Sequence, residues 1–165
     1  MHRYETDWYA WLQEQAILLE QGRFDALDLD HLVEELDIMA GSTRGELYDR
    51  LIVLLAHLLK LQVAAALLPG VYDRAQRGWR LTCAEQRHRL ARLLRRNPSL
   101  QPTVAAEMAE AYEVARLQAT AALQVDETRM PAQCAWSAEQ VLDEVFWPHA
   151  SETEPGTMRH VDCNA

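Results

Sequence analysis

The chain has 165 residues, 49% hydrophobic and 25% charged, with a net charge of −9. That length suits one domain with a real core and needs no disulfide or metal staple. The acidic balance argues against nucleic-acid binding over the whole surface. The wide, odd spacing of Cys83, Cys134 and Cys163 fits reduced thiols, and the N-terminus shows no apolar signal region. A cytoplasmic protein is the expectation.

In chain order, a first helix is expected from about Asp7 to Glu20, capped by Thr6 and ended by Gln21-Gly22. Tyr4, Trp8 and Trp11 fall on one line and read as a core stripe. A second helix runs from Asp28, its cap, to Ala40, with Leu29, Leu32, Val33, Leu36, Met39 and Ala40 as its apolar stripe and Gly41 as a break. Thr43-x-x-Glu46 has capping-box spacing and opens a third helix, residues 43–68. From Leu51 to Leu68 its only polar residues are His57, Lys60 and Gln62, so most of its surface must be covered and the other helices should pack around it. The mid-segment His57 and Lys60 argue against a membrane span.

Residues 69–78 read as a polar linker. A fourth helix starts near Thr82-x-x-Glu85 and stops at Asn97-Pro98. A fifth begins near Pro102 and reaches about Leu123, with a slim face of Val104, Met108, Ala111, Tyr112, Ala115 and Ala119. Ser137-x-x-Gln140 caps a short helix over residues 138–145, and a loose polar tail begins at Ser151. The expectation is an all-α fold: about five helices bundled round residues 43–68 as a single domain over residues 1–150, with a tail over 151–165.

Three groups of residues bear on function. The first is a polar line inside the core: Arg50, His57 and Lys60 on the third helix, Asp28 and Glu35 on the second, and Arg87 on the fourth. Buried charges must be paired. A short Gly41-Ser42 connection would fold the second helix antiparallel onto the third and bring the acids to the bases. This set reads as a salt-bridged network; its alternative is an enzyme or ligand site around Asp28, Glu35 and His57. The second group is Arg74–Arg96, which holds eight of the sixteen basic residues and one acid, Glu85. Arg77, Arg80, Arg89, Arg92 and Arg96 could contact phosphates, but few aromatics and no reader motif accompany them. Pairing with the acidic remainder, within the chain or across a dimer, is the reading preferred. The third group is Asp28-x-x-His31 and Glu85-x-x-His88, spaced like helical metal ligands but without the further inward-facing acids a di-iron site needs. No metal and no cofactor are expected.

Several landmarks taken together resemble a known family. They are Tyr4-x-x-Asp7-x-x-x-Trp11, Asp25-x-Leu27-Asp28, Glu34-Glu35-Leu36, Arg44-x-x-Leu47-x-x-Arg50-Leu51, Leu54-Leu55-Ala56-His57-Leu58-Leu59-Lys60, Trp79, Arg87, Pro98-Ser99-Leu100, Cys134-x-Trp136 and Trp147-Pro148. Over residues 4–148 the chain resembles the bacterial domain-of-unknown-function family numbered 29. Leu61 and Ala135 stand where that family often has Trp and Pro. The resemblance implies an all-helical fold and no established activity. The function expected from the residues is a non-catalytic interaction module that binds a protein partner or itself. Phosphate binding by the arginine segment is the alternative.

Overall fold

The computed structural model describes residues 3–149. The polar tail expected from Ser151 lies outside them. Among the described residues the fold is all-α: α1 (Arg3–Thr6), α2 (Trp8–Glu20), α3 (Leu29–Leu67), α4 (Pro69–Arg96), α5 (Val104–Leu123) and α6 (Ala138–Leu142), with three short 3-10 turns and no strand. These residues form two compact units, one ending at Gly45 and one beginning at Glu46.

In the first unit, Asp7 rather than Thr6 caps α2, its side chain accepting from the Ala10 amide at 3.0 Å. Gly22 ends that helix in the left-handed conformation, at φ 68°, which a residue without a Cβ adopts without strain. Trp11, Gln15 and Leu18 form the buried side of α2.

Two expected boundaries do not exist. α3 is continuous from Leu29–Leu67, with no turn at Gly41 and hence no hairpin between a second and a third helix. Thr43 is not a cap, because its hydroxyl donates to the Met39 carbonyl one turn back. A glycine inside a helix costs only about 1 kcal/mol, too little to stop a helix that has good formers on both sides. The second absent boundary is the linker. Residues 69–78 are the first part of α4, which opens with Pro69, a residue suited to the first helical position because its missing N–H would have no partner there. Thr82 likewise turns its hydroxyl back to the Gly78 carbonyl.

The second unit is a bundle around the apolar end of α3. Leu47, Leu51, Leu54, Leu55, Leu58 and Leu59 are completely buried there. Cys83 and Leu90 of α4, Ala111, Ala115 and Ala119 of α5, and Val141 of α6 meet the same core. The alanine face lets α5 approach closely. Ser137 and Gln140 form the expected reciprocal capping box at the start of α6, though that helix ends at Leu142. By length and composition α3 could cross a membrane, yet 61% of its most apolar window is buried inside the fold.

Candidate functional site

In the first unit two carboxylates gather aromatic donors. The Nε1 of buried Trp11 donates to Asp28 Oδ2 at 3.1 Å, and His31 Nδ1 lies 2.8 Å from the same oxygen. Gln15 accepts the Asp28 amide at 2.8 Å. The Tyr4 ring stacks on His31, 4.0 Å between centroids, and its hydroxyl donates to Glu35 Oε1 at 2.8 Å. Trp8 Nε1 donates to that oxygen too, also at 2.8 Å. Burial opposes ionisation of Asp28, but the hydrogen bonds from His31 and Trp11 outweigh it and hold its carboxyl below the ordinary value. Sharing a proton with Glu35 pushes the Tyr4 hydroxyl up to about 12. Both carboxylates are bonded to ring donors, so the geometry fixes α1 and α2 against the start of α3. Asp28 and His31 share the spacing of ligands but meet as a hydrogen-bonded pair. Of the expected aromatic stripe, Trp11 is buried while Trp8 is 48% exposed.

The basic line in the second unit finds other partners than those expected. Arg50 pairs with Glu46, one turn back, at 2.6 Å, and reaches Gln86 Oε1 at 3.4 Å. His57 donates Nδ1 to the Val53 carbonyl at 2.8 Å. Lys60 Nζ sits 5.6 Å from the centre of the Trp79 ring. Arg87, only 2% exposed, donates to the carbonyls of Val141 and Phe146, each at 2.9 Å, and lies over Trp147. Asp28 and Glu35 therefore bond within the first unit and Arg50, His57, Lys60 and Arg87 within the second.

The arginine segment also divides. Arg77, Arg89, Arg92 and Arg96 are exposed on α4. Arg80 is not, because its guanidinium lies over the Trp147 ring at 4.5 Å. Sequence spacing alone placed Arg80 with the exposed row; the aromatic partner, 67 positions further on, carries no local signal. A further feature escaped the sequence altogether: a cavity of about 290 Å³ lined by Val63, Leu67, Tyr112, Met130 and Trp136, among others.

The fold defines an all-α helical protein. The family can be given on a separate finding. A model of the family described as Domain of unknown function DUF29 matches residues 3–147, nearly the whole chain, and the protein belongs to that family. No curated protein and no solved structure matches it.

Proposed function

We propose that the chain is a non-catalytic, cytosolic interaction module that associates with a second copy of itself through its first unit. One observation carries the reading. Of thirteen large apolar side chains exposed among the described residues, ten lie between Trp8 and Met39, including Leu29, Val33 and Leu36 on one line of α3. Apolar side chains gathered so densely mark an interaction surface. Residues 3–45 also carry ten acids against three arginines. α4 has the opposite balance, eight arginines against two acids, with Leu81 62% exposed between them. Arginine stems cover apolar surface while their heads meet carboxylates. A two-fold pair in which each first unit meets the partner's α4 uses both surfaces twice. Free Cys83 and Cys134 suit a reducing compartment.

Sedimentation equilibrium tests this. A dimer is expected that weakens in high salt and is lost in Leu36→Glu, with helicity kept. A strict monomer at about 100 µM, a concentration far above a typical specific Kd, overturns it.

A second reading rests on the exposure of Arg77, Arg89, Arg92 and Arg96. It has these side chains contact a nucleic-acid backbone. Affinity for a generic duplex should then fall steeply with salt, and absence of binding at low salt removes it.

A further inference from the structure

The cavity of about 290 Å³ lies wholly within the second unit, between the end of α3, the middle of α5 and the segment over residues 128–136. Its floor is apolar: Val63, Tyr112 and Met130 line it and are buried. Leu67 and Trp136 line it as half-buried sides. Ala66, Thr128, Arg129 and Ala135 line it and are exposed, so they mark its mouth. Such a space is about twice the roughly 150 Å³ apolar cavity that admits benzene in an engineered protein.

The wall over residues 126–136 holds only one short helical turn, yet it is fastened along its length. Asp126 caps the turn Glu127–Arg129, its Oδ1 accepting from the Thr128 amide at 2.9 Å and from the Thr128 hydroxyl. The Tyr112 hydroxyl donates to the Pro131 carbonyl at 2.9 Å and ties the wall to α5. Cys134 Sγ donates to the Trp136 carbonyl at 3.6 Å, and the Trp136 ring meets Phe146 edge to face. The cavity is thus formed before anything enters it, which lowers the ordering cost of binding. Of the cations nearby, Arg116 is paired with Glu127. Arg129 makes no ion pair among the described residues, and the acid whose charge it favours, Asp126, is committed to Thr128.

We infer that this cavity binds a small molecule with an aromatic body and one carboxylate, the body against Tyr112, Met130 and Trp136 and the carboxylate at Arg129. A mostly apolar, preformed space with few polar groups is the usual form of a small-molecule site. Aromatic rings and a polarisable methionine sulfur favour an aromatic guest over a polar one. The charge belongs at the mouth, because an ionised group on the apolar floor would lose its hydration. One guanidinium fork there matches the planar geometry of a carboxylate. None of this depends on the first unit or on self-association.

The test is isothermal titration of the whole protein at low ionic strength with hydrocinnamate and with hydrocinnamyl alcohol, its neutral counterpart. Saturable one-to-one binding of the acid is expected, tighter than that of the alcohol. Ala66→Trp fills the mouth from an exposed position and should weaken both ligands about tenfold or more. Ala105→Trp, exposed on α5 and outside the cavity, should weaken neither. Arg129→Gln should weaken the acid about threefold or more, the scale of an exposed ion pair, and leave the alcohol unchanged. No saturable binding of the acid at about 10 mM, the weak end of useful affinity, overturns the inference. So does unchanged affinity in Ala66→Trp, an equal loss in Ala105→Trp, alcohol binding as tight as that of the acid, or unchanged affinity for the acid in Arg129→Gln. Where Ala66→Trp loses its helical circular dichroism, Ala135→Trp, the other exposed alanine of the mouth, is read instead.

Discussion

Arg87 donates its Nε to the carbonyl of Val141, 54 positions further along the chain and 2.9 Å away. The contact joins the middle of α4 to the end of α6, and a second nitrogen reaches Phe146 at the same distance. Hydrogen bonds from a charged donor contribute more than neutral ones, and removing the donor leaves buried carbonyls unpaired. Arg87→Met should therefore destabilise the protein by about 2–4 kcal/mol. It should also open residues 138–148 to proteolysis before the rest. Urea denaturation and limited proteolysis of the variant check both parts.

The two ends of α3 should respond differently to the same truncation. Leu58 is fully buried, whereas Leu36 is 62% exposed. Leu58→Ala should cost about 2–5 kcal/mol, from lost transfer energy and the cavity left behind. Leu36→Ala, measured on dilute protein, should stay within about 0.5 kcal/mol. Comparable losses at the two positions would contradict the burial pattern.

Continuity of the long helices is testable through their glycines. Gly41 in α3 and Gly78 in α4 have helical backbone and open space where a Cβ would stand. Alanine there should stabilise by about 0.5–1 kcal/mol each. Gly22, at φ 68°, should lose stability on the same change. A loss in Gly41→Ala would restore the break that its sequence context suggested. Thermal unfolding of the three single variants is sufficient.

His57 gives the second unit a pH dependence. Burial holds its pKa below the ordinary value of 6.5; the Val53 bond opposes the shift, and Lys60 adds to it. The unfolded chain therefore takes up the proton first as pH falls. The stability associated with neutral His57 is complete above about pH 6.5 and declines below it, down to the folded-state pKa. His57→Gln should flatten the dependence of unfolding free energy on pH between about 5 and 7. An unchanged slope would mean that His57 titrates alike in both states.

Much of the fold was determined by local pattern. The stripe Val104, Met108, Ala111, Tyr112, Ala115 and Ala119 is buried residue for residue, and so is most of the leucine run of α3. Helical periodicity reports which face avoids water, and these faces found partners. The Ser137–Gln140 box formed because both of its bonds lie within one turn. Where the pattern offered two outcomes, tertiary structure decided. Gly41 and Thr82 look like punctuation, but the energies involved, about 1 kcal/mol each, are small beside what the flanking helix gains by continuing. Leu29, Val33, Leu36 and Met39 have the same period as a core face and are nevertheless exposed. Periodicity shows that a helix has an apolar side and says nothing of whether anything covers it. The burial of Arg87 was expected, but the partners of Arg87 and Arg80 were beyond local reading, since the Val141 carbonyl and the Trp147 ring come close only once the chain has folded back over more than fifty residues.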